Sequence, residues 1–279
     1  MKTAWITGAG GLIGSYIARA APRDWRATPL VRGALDLTDF SAVRARFETD
    51  RPQLVIHCAA ISKSPVCQAN PAFAWKVNVD VTRFLVELAK DIHLLFFSSD
   101  LVFDGRKGNY SEDDSPNPLT VYGETKVAAE RFVLENPRHT VIRSSLNGGP
   151  SPTGDRGFTD ELLSAWRAGR ATKLFTDEFR SPILARETAR AVWELVAANK
   201  PGLYHIAGSE RLSRYQVGEL VAAQRPDLNP RLEANSLRDY SGPPRSPDTS
   251  LDCTKVQRIL SFQLPCFSES VREPGTLLA

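Results

Sequence analysis

A tyrosine and a lysine four positions apart have the residue types and the spacing of an acid–base pair. Tyr122 and Lys126 begin a segment, 122–136, whose apolar positions recur every three or four residues, as in an amphipathic helix. Residues four apart share one face of a helix, so the ammonium group would lie beside the phenol. An ordinary tyrosine, with a pKa near ~10, is a poor proton donor at neutral pH, and a neighbouring positive charge lowers that pKa. The pair therefore predicts proton transfer at a substrate oxygen.

A serine at the end of a buried strand would complete this pair. The apolar run 94–97 is typical of a strand buried on both faces, and Ser99 comes two positions after it. In an open parallel sheet, ligands bind at the carboxyl ends of the strands. We therefore expect the Ser99 hydroxyl to donate a hydrogen bond to a substrate carbonyl while Tyr122 delivers the proton.

Glycines near the start of the chain predict a phosphate-binding turn. A Gly-x-x-Gly-x-x-Gly spacing begins at residue 8, directly after an apolar strand, and opens a helix. The first glycine permits the tight turn, the second lets the backbone approach a phosphate, and the third lets the helix pack closely on the strand. The free N–H groups at the start of the helix then attract the anion. We expect the pyrophosphate of a nicotinamide dinucleotide to be bound by Gly8, Gly11, Leu12, Ile13 and Gly14.

The residue after the second strand indicates which dinucleotide binds. An acidic residue there would bind the ribose 2′-hydroxyl of NAD, whereas an arginine favours the 2′-phosphate of NADP. Arg32 directly follows the apolar run 27–31, and a guanidinium suits a phosphate geometrically. We therefore expect NADP(H), with NAD(H) left open.

Short apolar runs alternate with amphipathic segments in the first half, and these elements would position the chemistry. Strands are expected at 4–7, 27–31, 54–58, 94–97 and 140–142, with helices at 12–21, 41–49, 73–91 and 122–136. This alternation predicts an α/β fold with a Rossmann-type, doubly wound parallel sheet. After a glycine- and proline-rich break at 148–154 the pattern becomes mixed. We expect a dinucleotide-binding domain at 1–149, with a returning helix and strand at about 185–208, and a smaller substrate lobe at 150–184 and 209–279.

Composition excludes several classes of function. The chain has 279 residues, of which 42% are hydrophobic and 24% charged, and a net charge of +3, which is too small to indicate nucleic-acid binding. No run approaches the ~18 apolar residues of a membrane span. We find no targeting segment and expect a cytoplasmic protein. The cysteines match no zinc or disulfide pattern, so reduced thiols are expected at Cys58, Cys67, Cys253 and Cys266.

The glycine spacing, read with Ser99, Tyr122 and Lys126, resembles the extended short-chain dehydrogenase/reductase family. Segments 98–105 and 110–119 are similar to a Ser-Thr-Asp-Tyr-Val-Phe-Asp-Gly segment and a later loop of dTDP-4-dehydrorhamnose reductases. Two further segments, 175–182 and 243–252, resemble that family's Asp-Gln-x-Gly-Ser-Pro and Arg-Pro…Ser-Leu-Asp patterns, more loosely. The resemblance implies hydride transfer from NADPH to the keto group of a nucleotide-activated sugar. Tyr122 would be the proton donor, Lys126 would hold the nicotinamide ribose, and Ser99 would polarise the carbonyl.

The resemblance also implies further contacts with the cofactor. An Asp-Leu step at 36–37 corresponds to the family's reader of the adenine edge, and 58–60 to its Asn-Ala-Ala step, with cysteine in place of asparagine. Besides the glycine loop and Arg32, the expected cofactor-binding residues are Asp36, Leu37, Cys58, Ala59, Ala60, Asn78, Tyr122 and Lys126. A metal site is not expected, because no carboxylates match those of the metal-binding rhamnose reductases.

Departures from the family pattern concern the substrate. Leu101 replaces a tyrosine, Arg180 stands where the family usually has glycine, and Lys63 adds a cation near the expected mouth of the pocket. Lys63 and Arg180 would suit a phosphate or a carboxylate. The expected substrate contacts are Lys63, Ser99, Asp100, Leu101, Tyr122 and Arg180.

Two alternatives remain open. The first is a non-catalytic, NADP-binding regulatory subunit similar to the beta subunit of methionine adenosyltransferase, which resembles the same family. The second is a nucleotide-sugar epimerase or dehydratase that retains NAD. Arg32 argues against the second, and so does Leu101, because 4,6-dehydratases usually carry glutamate there. The expected partner is a small-molecule substrate, with a homodimer as a candidate assembly.

Overall fold

A computed structural model describes residues 1–277 and shows alternating strands and helices in the first half of the chain. The strands are β1 (Lys2–Thr7), β2 (Trp25–Leu30), β3 (Leu54–His57), β4 (His93–Ser99), β5 (Thr140–Ser144), β6 (Asn147–Gly148), β7 (Thr172–Phe175), β8 (Phe179–Arg180), β9 (Ile183–Leu184), β10 (Gly202–Ile206), β11 (Leu212–Ser213) and β12 (Leu232–Asn235).

The helices alternate with these strands in the first half, and further helices lie between the mostly short strands of the second half. They are α1 (Leu12–Arg19), α2 (Phe40–Asp50), α3 (Ser64–Ala69), α4 (Pro71–Trp75), α5 (Val81–Leu88), α6 (Val121–Leu134), α7 (Phe158–Arg167), α8 (Ala185–Ala198), α9 (Arg214–Gln224), α10 (Thr254–Gln257) and α11 (Phe267–Ser270). A π-helical turn (Lys76–Asp80) joins α4 to α5, and 3₁₀ turns lie at Asp100–Val102, Pro226–Leu228 and Leu237–Asp239.

Six strands form a parallel sheet in the order β10-β5-β4-β3-β1-β2. The strand order reverses between β1 and β3, so a crevice opens where their carboxyl ends diverge. The expected doubly wound α/β fold is therefore confirmed. Strand β4 is longer than predicted and includes Ser98 and Ser99, because both continue its buried ladder beside β5.

Helices cover both faces of the sheet. On one face α1 and α8 pack together, and the Trp193 indole donates a hydrogen bond of 2.9 Å to the Ile17 carbonyl. On the other face, α2, α5 and α6 bury apolar side chains against the strands, including Val43, Leu85 and Val133. The described residues of the second half add a separate apolar core around Trp166, where α7, α9 and α11 meet the small β7–β12 pair.

The segment 73–91, predicted as one helix, is continuously helical as far as Leu88. Its middle turn is π-helical, and the extra residue in that turn brings the side chain of Asn78 inward, where it is buried. Sequence periodicity did not predict α9, because only a few of its positions are apolar and buried. It did not predict the two-residue strands of the second half either. No helix in the described part of the chain is long and apolar enough to cross a membrane.

Candidate active site

The glycine loop occupies the crevice at the end of β1. Gly8 has a φ of +67°, and a Cβ there would lie 2.7 Å from the backbone nitrogen of Ala59. A Cβ on Gly14 would lie 2.5 Å from the Gly8 carbonyl oxygen, so α1 can pack on the loop only through glycine. Gly11 is the N-cap residue directly before α1 and provides no side-chain cap. The first N–H groups of the helix are therefore left for an anion, as a dinucleotide pyrophosphate requires.

A buried chain of hydrogen bonds fixes the strand ends beneath this loop. The Ala59 N–H donates to the Thr7 hydroxyl at 3.2 Å, and that hydroxyl lies 2.7 Å from Nδ1 of His57. On the other side of the ring, Nε2 lies 3.1 Å from the Thr82 hydroxyl, which itself donates to the Asn78 carbonyl. Burial lowers the pKa of His57 to about 3, so the ring is neutral, with Nε2 as its donor. In the sequence, this hydrogen-bond network could have been recognised from a single histidine inside an otherwise apolar strand.

Asn78 supports the cofactor loop from behind. Its Oδ1 accepts from the Ile61 N–H at 2.8 Å, and its Nδ2 donates to the Ile61 carbonyl at 3.1 Å and to Thr125 Oγ1 at 3.0 Å. The side chain is only 1% exposed. Protein groups on two sides occupy its amide, and its expected contact with the cofactor stays a prediction. Asn78 ties the loop after β3 to helix α6.

The loop after β2 presents positive charge. Arg32 is exposed and has no ion-pair partner in residues 1–277. Asp36, also exposed, accepts from the backbone N–H and the hydroxyl of Thr38, and these hydrogen bonds lower its pKa. The positive charges of Arg32 and Lys76 lower the pKa of Asp36 further, because both cations lie near this carboxylate. Lys76 was not predicted from the sequence. The arrangement suits a 2′-phosphate near Arg32, as expected for NADP.

The remaining predicted cofactor residues follow strands β2 and β3. Ala59 and Ala60 follow β3 at its carboxyl end and are partly exposed, and Leu37 is half-buried in the loop after β2. Cys58 is a free thiol whose pKa is raised by burial, so it stays neutral.

Helix α6 brings Tyr122 to the end of β4. The Thr120 hydroxyl caps the helix by accepting from the Gly123 N–H at 3.2 Å. A side chain at Gly123 would collide with the Leu101 carbonyl, so glycine lets the helix approach the strand end closely. Ser99 and Tyr122 are each 7% exposed there. The Ser99 hydroxyl is held by donation to Asp100 and by acceptance from the Leu101 N–H, each at 3.1 Å.

Burial changes the acidity of both members of the acid–base pair. It raises the pKa of Tyr122, and a hydrogen bond with Ser99 acts in the opposite direction. It lowers the pKa of Lys126 to about 8. Lys126 Nζ donates to the Phe97 carbonyl at 2.8 Å and lies 5.9 Å from the centre of the Tyr122 ring. The spacing of four residues thus places the lysine beside the tyrosine, on the buried face of α6.

A buried ion pair anchors α6 behind Lys126. Glu130, one turn further along the helix, accepts from Arg143 of β5 at 3.0 and 2.7 Å and from the Ser98 hydroxyl. The side chains of the pair are 3% and 4% exposed. Sequence reasoning missed it, although the Tyr-x-x-x-Lys-x-x-x-Glu spacing puts all three residues on one helix face.

Lys63 lies at the expected mouth of the site. Its Nζ is 3.3 Å from the carboxylate of Glu161 on α7, and both side chains are more than half exposed. This ion pair spans the opening between the loop after β3 and the second half of the chain. Leu101 packs beside Tyr122 and Cys67 at the inner end.

Arg180 lies in the interior, bonded to protein groups, and its expected contact with the substrate stays a prediction. The side chain is only 4% exposed. Nη1 donates to the Phe179 and Ser246 carbonyls at 2.9 and 3.1 Å, Nη2 donates to Glu178 at 2.9 Å, and Nε lies 3.6 Å from Asp100. With all three nitrogens engaged, this guanidinium joins parts of the protein together.

Asp100, another expected substrate contact, is likewise held by protein groups, and its contact with the substrate stays a prediction. Its carboxylate is buried and accepts from Ser145 at 2.8 Å, from Thr249 at 3.0 Å and from Ser99 at 3.1 Å. It therefore holds the Ser99 hydroxyl and links the sheet to the second half of the chain. No cluster of three or more possible metal ligands occurs within residues 1–277.

Comparisons with known proteins agree with this geometry. The family model described as the RmlD substrate binding domain matches residues 1–276. The beta subunit of methionine adenosyltransferase 2 from Xenopus tropicalis is 29% identical over 295 residues, which cover 98% of this chain and 86% of that protein. A probable low-salt glycan biosynthesis reductase from Haloferax volcanii is 30% identical over 288 residues, covering 96% and 95%. The crystal structure of dTDP-4-dehydrorhamnose reductase from Bacillus anthracis in complex with NADP has a TM-score of 0.89 at 22% identity, covering 97% and 98%, and shares the fold.

Proposed function

This chain belongs to the RmlD substrate binding domain family, and we propose that it is an NADP(H)-dependent reductase acting on the keto group of a nucleotide-sugar-like substrate. One observation carries the proposal: Ser99, Tyr122 and Lys126 lie at the same sheet edge as a glycine turn whose free helix N–H groups suit a phosphate. The reductase from Haloferax volcanii, similar over nearly the whole chain, supports it.

Each catalytic side chain has a distinct role in this proposal. The nicotinamide of NADPH, when bound at the glycine loop, supplies the hydride. For catalysis the Ser99 hydroxyl turns from Asp100 and donates its one hydrogen bond to the substrate carbonyl instead, which favours the negative charge that develops on the carbonyl oxygen. Tyr122 gives its phenolic proton to that oxygen. Lys126 holds the nicotinamide ribose and keeps a positive charge beside Tyr122, which favours loss of the proton.

Further parts of the proposal concern the organisation of the chain. We assign the dinucleotide to residues 1–149, completed by α8 and β10, and the substrate to 150–184 and 209–279, of which 278 and 279 lie outside the described residues. A homodimer and a cytoplasmic location stay predictions.

A regulatory function is the second candidate, because the beta subunit of methionine adenosyltransferase 2 is similar over 98% of this chain. A regulatory subunit would bind NADP stoichiometrically and would not turn over any carbonyl substrate. An enzyme that retains NAD would instead purify with NAD that does not exchange.

The decisive experiment is an NADPH-oxidation screen over keto-sugar nucleotides and simple ketones, with Tyr122→Phe beside the wild type. We expect the variant to lose at least about a hundredfold in turnover, the usual contribution of a positioned general acid, while binding NADPH normally. Tyr215→Phe, a half-buried tyrosine of α9, is the matched control and should keep full activity. Unchanged turnover in Tyr122→Phe would exclude Tyr122 as the acid.

A further inference from the structure

The buried face of α6 carries a carboxylate behind the proposed acid–base pair. Tyr122, Lys126 and Glu130 follow one another at intervals of four residues and are 7%, 2% and 3% exposed. Positions four apart lie above one another on a helix, so Glu130 is the next side chain behind Lys126 as seen from Tyr122. A carboxylate in that position acts on the ammonium group that the proposed proton transfer depends on.

Protein groups occupy both oxygens of this carboxylate. Oε1 accepts from the Ser98 hydroxyl and from Arg143 Nε at 3.0 Å, and Oε2 accepts from Arg143 Nη2 at 2.7 Å. Glutamate and lysine four apart on a helix commonly pair directly, but among the described residues no carboxylate lies within 4.0 Å of Lys126 Nζ. Arg143 and Ser98 therefore hold Glu130 near the ammonium group without an ion pair between the two.

Adjacent residues of β4 hold the two charged groups at fixed places. Lys126 Nζ donates to the Phe97 carbonyl at 2.8 Å, and the next residue, Ser98, provides the hydroxyl that donates to Glu130. The same Nζ lies 5.9 Å from the centre of the Tyr122 ring. Because the interaction between two charges depends on their separation, this double attachment to one strand fixes the influence of Glu130 on Lys126.

Glu130 supplies the negative charge that favours the ammonium form of Lys126. Burial lowers the pKa of Lys126 to about 8, and Cys58, Glu130 and Cys67 act in the opposite direction. Both thiols stay neutral at physiological pH, because burial raises their own pKa. The carboxylate of Glu130, ion-paired with Arg143, is then the charged group that opposes the effect of burial on Lys126.

The neighbouring rings carry no charge that could replace it. Other ionisable side chains facing this pair are His57, Tyr122, Arg143 and His205. Burial keeps the two imidazoles neutral by lowering their pKa to about 3 and about 4, and keeps the phenol neutral by raising its pKa. Since Arg143 and Glu130 balance each other, one positive charge remains on this face of α6, and Lys126 carries it beside Tyr122.

We propose that Glu130 is a positioning residue that acts through Lys126: fixed by Ser98 and Arg143, it keeps the ammonium group charged beside Tyr122 without pairing with it. The inference rests on the proposed function, because it assigns a further residue to the same proton transfer. Glu130 therefore sets the pH range of reduction in addition to stabilising the fold.

NMR titration of Lys126 tests the proposal directly, in protein labelled with carbon-13 at the lysine side chains and saturated with NADP⁺. We expect the ammonium group in Glu130→Gln to lose its proton at least about one pH unit below the wild type, because a buried charge one helical turn away has been removed. Glu130→Asp keeps the charge and should titrate close to the wild type. Glu124→Gln, which changes an exposed carboxylate of the same helix, is the matched control and should titrate as the wild type does.

The pH dependence of kcat/KM at saturating NADPH provides a second measurement. Glu130→Gln should be about tenfold slower than the wild type at pH 9 and nearly equal to it at pH 6. A side chain needed only for stability would lower kcat/KM by the same factor at every pH. If Glu130→Gln does not fold, the double variant Glu130→Gln/Arg143→Met replaces it, because removing both members of a buried pair leaves no unpaired charge, and its shift should have the same direction.

An unchanged Lys126 titration in the folded glutamine variant would overturn the proposal, as would an equal shift in Glu130→Asp. The two measurements separate this inference from the proposed function. A shifted titration in a protein that reduces no carbonyl substrate would support the role of Glu130 and contradict the reductase. Turnover with the same pH profile and the same Lys126 titration in wild type and Glu130→Gln would support the reductase and contradict the role of Glu130.

Discussion

Replacing Glu178 by glutamine should destabilise the protein in a way that depends on pH. The substitution keeps the shape of the side chain and removes the charge that faces three arginines. The pKa of Glu178 in the folded protein is about 2, against an ordinary value of 4.5. At ~1.36 kcal/mol per unit, this difference corresponds to about 3 kcal/mol of folding stability at pH 7.

The sign of the pH dependence follows from the lowered pKa. A carboxylate that is more acidic in the folded state stabilises the fold fully above pH 4.5, and this contribution is lost as the pH falls towards 2. At pH 3 about 1 kcal/mol of it would remain. The difference in unfolding free energy between the wild type and Glu178→Gln should therefore shrink by about 2 kcal/mol between pH 7 and pH 3.

Urea unfolding at several pH values measures this difference directly. Glu233→Gln is the matched control, because that carboxylate is 51% exposed and its pairing with Lys173 at 3.6 Å should contribute less than about 1 kcal/mol at any pH. A difference between wild type and Glu178→Gln that is the same at pH 7 and at pH 3 would refute the reasoning, since it would mean that the arginines do not lower the pKa of Glu178.

Other predictions address the cofactor loop and the catalytic pair. Gly14→Ala should weaken NADPH binding at least about tenfold, because a Cβ there would lie 2.5 Å from the Gly8 carbonyl oxygen. Gly33→Ala, with open space around it, should not weaken binding. Fluorescence titration with NADPH compares the two variants. Arg32→Ala should weaken NADPH binding about tenfold or more and leave NADH binding unchanged, as parallel titrations would reveal. Glu130→Gln should cost about 3–5 kcal/mol of stability in urea unfolding, because it leaves a buried guanidinium without its carboxylate. The kcat/KM for NADPH-dependent reduction should fall above pH 8 as Lys126, with its pKa of about 8, loses its proton, and a flat profile to pH 10 would contradict this.

The architecture of the first half could be predicted because its signals are local. Strand β3 is a continuous apolar run, and the Asp39 side chain, directly before α2, caps that helix by accepting from the Ala42 N–H at 3.0 Å. The glycine spacing likewise predicted the turn after β1. In each case a few neighbouring residues determine the conformation.

The second half could not be predicted in the same detail, because contacts between distant residues determine it. Whether Arg180 meets a substrate or a protein carboxylate depends on Glu178 and on Asp100, which lies 80 positions earlier in the chain. The role of Asn78 depends in the same way on a π-helical turn that turns its amide towards Ile61 and Thr125. Residue type alone therefore marks these side chains as candidates for a polar contact. It does not identify their partners.

The sheet is finished by a strand that is synthesised late. Strand β10 pairs with β5, although the chain between them builds β6–β9, α7 and α8. While a ribosome makes that stretch, at ~5–20 residues per second, the nascent chain carries an open β5 edge and a face of α1 without its α8 partner. Unpaired strand edges are sites of association between chains, so during this interval the β5 edge is open to such association. A fragment ending near residue 149 would stay in that incomplete condition permanently.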